Sequence, residues 1–204
     1  LELTQALSGR TEHSLAGVMD RTATAMGARL LRRWLGRPLR DRDAVRARHD
    51  AVAGLIEARS YPALRDQLAG IGDLERILAR VALGSARPRD LATLRDSLNC
   101  LPGLQALLCQ HELALLAALA ADIGTHPATV DLLTSAILPH PPMLIRDGGV
   151  IAPGYDSELD RLRGLSTDAN QFLLELEQRE RVRTGLANLK VGYNRVQGYY
   201  IEVT

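Results

Sequence analysis

The chain has 204 residues, of which 46% are hydrophobic and only 3% are aromatic. This length and apolar fraction are enough for a sizeable core, and a core of aliphatic side chains predicts a helical protein. The formal net charge of +1 excludes an overall attraction to nucleic acid, so any such binding must come from a local patch. No apolar run is long enough to predict a membrane span and the N-terminal sequence does not resemble a signal peptide, so we expect a cytoplasmic protein with no membrane partner.

Apolar residues recur at helical spacing between Thr24 and Leu138, and capping or breaking residues bound each run. Pro102 is predicted to open a new helix after the one that begins at Pro88. Short connections between the helices favour antiparallel neighbours in a bundle. The predicted helices are 24–35, a second from Asp41 or Asp43 to before Pro62, then 74–84, 88–98, 102–108, 113–121 and 127–138.

Beyond the predicted bundle, apolar residues between Leu144 and Ile151 flank an Asp-Gly-Gly turn and predict a small β-ribbon. From Tyr155 to about Arg183 the helical pattern is uninterrupted and would form a rod of roughly 40 Å. Its apolar stripe is narrow, so we expect this helix to project from the core and pair with another helix. The stripe consists of Leu159, Leu162, Ser166, Ala169, Leu173 and Leu176.

Residues 184–204 change from a helical to a strand-like pattern, with apolar and polar residues alternating. The alternation predicts a β-hairpin whose turn lies near Gln197 and Gly198. A two-stranded ribbon is at best marginally stable alone in water. We therefore expect the chain to be part of a longer protein whose next segment completes this sheet.

The sequence predicts no catalytic or metal-binding site. Cys100 and Cys109 lack the four-ligand spacing of a structural zinc site and are expected to be reduced. Asp156, Glu158 and Asp160 lie at the predicted start of the long helix, where carboxylates complement the helix dipole. An acidic enzymatic site at this position is the alternative interpretation.

Two arginine-rich segments could either bind nucleic acid or form the usual packing contacts and ion pairs of a protein surface. Residues 29–48 are the most basic stretch, and we favour packing and pairing with acids from other segments. On the long helix, Arg179, Arg181 and Arg183 accompany Glu177 and Glu180, which favours a solvated face. The tyrosines of the hairpin are expected to pack within the sheet, not to stack on bases.

Three blocks of the sequence resemble the MutS family of DNA mismatch repair proteins. They are residues 14–40 (SLAGVMDRTATAMGARLLRRWLGRPLR), 72–98 (GDLERILARVALGSARPRDLATLRDSL) and 148–204, which begins GGVIAPGYDSELDRLRGL and ends KVGYNRVQGYYIEVT. Long runs in a consistent order are more specific than a short motif. The resemblance implies a mainly α fold with a multi-helix core bundle (1–154), a long outgoing lever helix (155–183) and the incomplete start of a clamp domain (184–204), which is a truncated β-hairpin at the tip.

The resemblance implies a mechanical function within a homodimeric parent protein. In the family the clamps hold the backbone of duplex DNA without reading its sequence, and the levers link that grip to distant ATPase domains. Phosphate contacts need cations and small polar donors, which the hairpin offers as Lys190, Asn194, Arg195 and Gln197. Gly192 and Gly198 would allow DNA to approach the backbone closely. A downstream repair factor is a further implied partner of the parent.

ATP and Mg²⁺ are implied as cofactors of the parent protein only. Lys190 is the only lysine and lies between Leu189 and Val191, so no Gly-x4-Gly-Lys-Ser/Thr sequence is present. The Phe-x-Glu that reads mismatches in the family is also missing, because the single Phe172 precedes two leucines. We expect this chain not to be an enzyme and to hold no cofactor. The alternative function is a self-standing helical scaffold for protein–protein interaction.

Overall fold

The computed structural model describes residues 3–194, 196 and 198–203, apart from the side chains of residues 168–170. The described chain is mainly helical, as predicted, and ends in a two-stranded antiparallel sheet. It divides into two compact units, Leu1–Ala152 and Pro153–Thr204. The first unit contains α1 (Leu15–Met19), α2 (Ala25–Gly36), α3 (Arg42–Glu57), α4 (Tyr61–Ala69), α5 (Leu74–Ala82), α6 (Pro88–Leu108), α7 (Ala114–Asp122) and α8 (Pro127–Ala136). The second contains α9 (Ser157–Thr184), β1 (Lys190–Asn194) and β2 (Gly198–Glu202).

Side-chain caps fix the starts of several helices where the sequence predicts them. The Thr24 hydroxyl accepts a hydrogen bond from the Gly27 N–H at 2.9 Å at the start of α2. The Asp41 carboxylate accepts from two N–H groups of the first turn of α3, and Asp73 caps α5. These contacts satisfy N–H groups that have no partner within the helix. The predictions of helices beginning near 24, 41 and 74 are therefore confirmed.

Helix α6 is central to the first unit because its two halves contribute to two different hydrophobic clusters. Leu94 and Leu98 pack with residues of α5 and α8, including Ile77 and Leu133. The C-terminal half packs against α3, α4 and α7 in a cluster that contains Ala51, Leu64, Leu104, Leu108, Leu116 and Ala120. Each buried leucine contributes about 1.5–3 kcal/mol relative to an exposed one. The core of this unit is thus organised along one helix.

The prediction that Pro102 opens a new helix is wrong. Pro102 lies inside α6, which continues to Leu108. An internal proline removes one backbone hydrogen bond, but leucines on both sides of it, Leu98 and Leu104, are buried. Packing on both sides keeps the helix continuous.

The sequence analysis did not predict α1 or α4. It treated Pro62 only as a residue that ends a helix, but Pro62 lies in the first turn of α4, where proline is favoured.

The predicted β-ribbon within residues 144–151 is also wrong. Ile145–Asp147 forms a 3₁₀ helix, and the two glycines that follow have positive φ angles of 73° and 64°. Ile151 instead forms an isolated antiparallel bridge with Ile137, at the end of α8. Val150 and Ile151 pack against the cluster that α6 shares with α8. Ile151 thus pairs with a residue fourteen positions away, where it is partly buried against this cluster, and local alternation cannot reveal such a partner.

Arginines of the basic stretch pair with acids from other segments, as we interpreted them. The Arg29 guanidinium lies 2.7 Å from Asp73 and 2.5 Å from Glu75 and so links α2 to α5. Its hydrogen bonds lower the pKa of Asp73 to about 2. Arg48 lies over the ring of Trp34, 3.7 Å from its centroid, in a cation–π contact. These contacts favour packing over nucleic-acid binding for this stretch.

Two buried polar side chains tie α6 to its neighbours. Arg95 donates to the main-chain carbonyls of Ile137 and Leu138 at 3.3 Å and of Pro139 at 3.2 Å. Ser97, fully buried, accepts from the Gly72 N–H at 2.9 Å. Buried polar groups are tolerated when hydrogen-bonded. Both contacts hold loops in place, and neither leaves a reactive group exposed.

Candidate nucleic-acid interface

A pair of charged side chains near the end of α9 holds the first strand of the hairpin. Arg181 Nε donates to the Leu189 carbonyl at 2.6 Å, and Glu177 Oε2 accepts from the Val191 N–H at 2.8 Å. Arg181 and Glu177 are one helical turn apart and pair at 2.7 Å. We call Glu177 and Arg181 the latch pair. The prediction that they belong to a solvated face is wrong, because both bond to the backbone of the hairpin.

Burial of Leu189 reinforces the latch pair. Helix α9 is capped at its C-terminus by the left-handed residue Gly185, and the Leu189 N–H donates to the Leu186 carbonyl in the turn that follows. Leu189 is 4% exposed, although the residues on both sides of it are exposed. The first strand therefore begins at a fixed point on α9, held by one buried side chain and two backbone hydrogen bonds.

The predicted hairpin is confirmed, with Asn194 opposite Gly198 and three residues between them. Cross-strand pairs alternate between two faces of the ribbon. One face carries the pairs Val191–Ile201 and Tyr193–Tyr199, and the two tyrosine rings lie 5.0 Å apart. The other face carries Lys190–Glu202, Gly192–Tyr200 and Asn194–Gly198. The ribbon thus has one apolar face and one mixed polar face.

Of the four predicted DNA-contacting residues, the structure places Lys190 and Asn194 on the mixed polar face. Arg195 and Gln197 lie outside the described residues, as does the first of the two predicted turn residues. Lys190 is exposed, and the Asn194 side-chain oxygen accepts from the Val196 N–H at 3.0 Å within the turn. Glu202, directly opposite Lys190, places a negative charge on the same face. The sequence analysis did not single out Glu202. It lies four residues after Gly198, just as Lys190 lies four residues before Asn194, so the two face each other across the hairpin.

Gly192 has a different role from the one we expected. A Cβ atom added there would lie 2.8 Å from the ring of Tyr200, so the tyrosine already occupies the space above the glycine. Gly198 has nothing within 4 Å of an added Cβ, but its φ of +72° disfavours other residues. Close approach to Gly192 is therefore blocked by Tyr200. Packing of Tyr200 in this way agrees with the expectation that the hairpin tyrosines pack within the sheet.

An open apolar groove of ≈ 760 Å³ lies between α9 and the hairpin. Phe172 is 60% exposed and Ile201 62% exposed along it. The predicted stripe of α9 contributes to this groove, although the side chain of Ala169 lies outside the described residues. The lining residues are Leu165, Phe172, Leu173, Leu176, Val191, Tyr199, Tyr200 and Ile201.

The carboxylates at the start of α9 act as caps and ion pairs. Asp156 accepts from the Leu159 N–H at 2.8 Å, and Asp160 accepts from the Gly154 N–H at 2.6 Å. Arg161 hydrogen-bonds to Glu158 and lowers its pKa. These contacts support the helix-capping interpretation over an acidic enzymatic site.

No group of three or more His, Cys, Asp or Glu side chains among the described residues could hold a metal ion. No helix in the same part of the chain combines the length and the apolar character needed to cross a membrane.

One comparison with known proteins identifies the chain. A family model described as MutS domain III matches residues 1–191. The match runs from the first residue, through all the helices of both units, into the first strand of the hairpin. It agrees with the three blocks of sequence that resemble this family. Domain III is a non-catalytic part of a family of DNA mismatch repair ATPases, and this chain belongs to the MutS family as its domain III.

Proposed function

We propose that the chain is a lever that positions a DNA-holding clamp in a MutS-type mismatch repair protein. The observation that carries this proposal is the attachment of the hairpin to α9. Bonds from Glu177 and Arg181 to the strand backbone make the hairpin follow the end of a 28-residue helix. A helix of that length transmits a movement of one end to the other. The core (1–154), lever (155–183) and clamp start (184–204) of the sequence prediction form the working division of this proposal.

The polar face of the hairpin is the proposed contact with the DNA backbone. Lys190 provides an exposed cation, Asn194 an amide at the turn, and Arg195 and Gln197 complete the proposed set. Such groups bind phosphates without reading bases. The carboxylate of Glu202 opposes Lys190 and should weaken the contact. We therefore propose weak, sequence-independent binding by this face alone.

The parent protein is proposed to be a cytoplasmic homodimer that uses ATP and Mg²⁺ and engages a downstream repair factor. The residues of this chain do not fit a nucleotide phosphate site, because its single lysine is Lys190, in strand β1, outside any Gly-x4-Gly-Lys-Ser/Thr sequence. Nucleotide coupling is accordingly proposed only for the parent, through the lever.

Binding of a fluorescently labelled duplex, followed by anisotropy over a range of salt concentrations, tests this proposal. Lys190→Gln should weaken binding to matched and mismatched duplexes alike and reduce the salt slope by about 1. The matched control is Glu202→Gln, which removes the opposing charge and should strengthen binding. An unchanged slope in Lys190→Gln, or a preference of this chain for mismatches, would contradict the proposal.

A second candidate function, a scaffold for a protein partner, is favoured by the open groove between α9 and the hairpin. Its exposed apolar residues could bind a partner without any contribution from Lys190. The two functions give different results in the same assay. A scaffold predicts that duplex binding is absent, or is unaffected by combined Lys190→Glu and Arg195→Glu.

A further inference from the structure

A second groove lies in the first unit, between α4 and α7. Side chains from one face of α4 form one wall, and those from one face of α7 form the other. Buried leucines of α6 form the floor, and the loop that precedes α2 lies at the rim. The volume of this groove is ≈ 520 Å³. The groove has no part in the proposed binding of DNA. The lining residues are Arg21, Thr22, Ala23, Leu55, Tyr61, Leu64, Arg65, Leu68, Leu104, Leu108, Leu116, Leu119 and Ile123.

The dimensions of this groove fit a small molecule. The lining residues of α4 run from Tyr61 to Leu68, which at the rise of an α-helix is about 10 Å. Small-molecule sites typically have volumes of roughly 300–1,000 Å³ and mostly apolar walls. Stable protein interfaces bury roughly 800 Å² on each partner, a far larger patch than a groove of this length. The groove therefore favours a compact ligand over a docked protein.

The rim of the groove carries two arginines. Arg65 donates to the main-chain carbonyl of Arg21, which holds the loop against α4. The Arg21 side chain donates to another carbonyl, that of Asp20, at 3.2 Å. Hydrogen bonds from Thr22, and to a smaller extent the charges of Arg32 and Arg21, lower the pKa of Asp20, so Arg21 lies near one carboxylate. Both arginines are exposed, and charge-assisted hydrogen bonds between a guanidinium group and an anion are among the stronger ones.

We propose that this groove binds a small anionic amphiphile. Its apolar body would lie between Leu64, Leu108 and Leu116, and its carboxylate or phosphate would meet Arg21 and Arg65 at the rim. Burial of the apolar body provides most of the affinity, and the two arginines select an anionic head group. The proposed ligand is a free small molecule, and its site is independent of the DNA-binding hairpin.

Decanoate below its micelle concentration is the test ligand, titrated into the whole chain and followed by leucine methyl NMR. We expect saturable binding of one molecule, with shifts at Leu64, Leu108, Leu116 and Leu119. Decyltrimethylammonium has the same tail and the opposite charge, and should bind at least tenfold more weakly. Shifts confined to the groove between α9 and the hairpin, or equal binding of the two amphiphiles, would overturn the proposal.

Two substitutions separate the contributions of charge and burial. Arg21→Gln removes one guanidinium while the backbone carbonyl that Arg65 uses stays in place, and should weaken decanoate about tenfold. The control Arg40→Gln removes an exposed arginine outside the groove and should have no effect. Leu119→Asp places a negative charge on the wall and should abolish binding, whereas Leu83→Asp, at an exposed leucine elsewhere, should not.

If the control variants lost as much affinity for decanoate as Arg21→Gln and Leu119→Asp, the ligand would be adsorbing non-specifically, and the proposed site would be wrong. A variant that unfolds is recognised from its NMR spectrum, and the comparison of the two amphiphiles on the unsubstituted chain still decides the question. Sedimentation with vesicles of phosphatidylglycerol distinguishes a membrane surface from a small-molecule site. Binding to those vesicles without binding of monomeric decanoate would also overturn the proposal.

Discussion

Replacing Glu177 with alanine removes the acceptor for the Val191 N–H and the partner of Arg181 in one step. That N–H points toward α9, so no bond to the second strand can compensate for the loss. A hydrogen bond to a charged group contributes about 1.5–3 kcal/mol net, and each 1.4 kcal/mol corresponds to a factor of ten in an equilibrium constant. The amide-exchange protection of Val191 should therefore fall by about 10- to 100-fold. Glu177→Gln retains an amide oxygen as an acceptor, so the protection of Val191 should fall less in this variant.

Hydrogen exchange measured by NMR at single amides tests this prediction. The control is Glu175→Ala on the same helix, where the carboxylate accepts a hydrogen bond from the Gln171 side chain at 3.1 Å. Protection of Val191 should be unchanged in that control, and protection of Leu98 in α6 should be unchanged in every variant. Unchanged protection of Val191 in Glu177→Ala would refute the role of the latch pair in holding the first strand. An equal loss at Leu98 would indicate global unfolding instead.

Three further predictions concern the first unit, and urea unfolding followed by circular dichroism measures each of them. Arg95→Ala removes a buried donor to three carbonyl groups and should lower the free energy of unfolding by about 2–4 kcal/mol. Gly72→Ala places a Cβ 2.4 Å from the Thr93 Cγ2 and should cost about 1–3 kcal/mol, whereas Gly36→Ala, with nothing within 4 Å, should cost almost nothing. Because the pKa of Asp73 is lowered from 3.8 to about 2, its ionised form should stabilise the fold fully above pH 3.8, and this contribution should disappear as the pH falls through about 2. Asp73→Asn should remove that pH dependence.

Each of these predictions has a clear contrary result. Equal stability of the Gly72→Ala and Gly36→Ala variants would show that the loop before α5 can move away from α6. An unchanged free energy of unfolding in Arg95→Ala would show that water replaces the guanidinium at the end of α8. If the free energy of unfolding of Asp73→Asn fell with acid as much as that of the unsubstituted chain, the pH dependence would belong to other carboxylates.

The parts of the fold that depend on local interactions could be predicted from the sequence. Thr24, Asp41 and Asp73 cap helices through contacts with residues two or three positions ahead, so their pattern is visible in a short window. Pro102 and the pairing of Ile151 depend on what the rest of the chain packs against them. A local pattern does not contain that information, which is why those two predictions failed.

The same distinction applies to the candidate site. Alternation of apolar and polar residues predicts the hairpin, and its register follows once Asn194 and Gly198 are paired. The roles of Glu177 and Arg181 could not be predicted, because the i,i+4 spacing of opposite charges is also typical of an exposed helix face. Their contacts with Leu189 and Val191 appear only when the chain turns back on itself after Gly185.

The length of α9 has a geometric consequence for anything attached to its end. A straight helix of 28 residues measures about 42 Å. A tilt of about 10° at Ser157 would carry Thr184 through an arc of roughly 7 Å, which is about two base-pair steps of DNA. The latch pair would pass that displacement to the first strand of the hairpin. A rotation of about 10° at the base of the helix thus becomes a movement of roughly 7 Å at its tip.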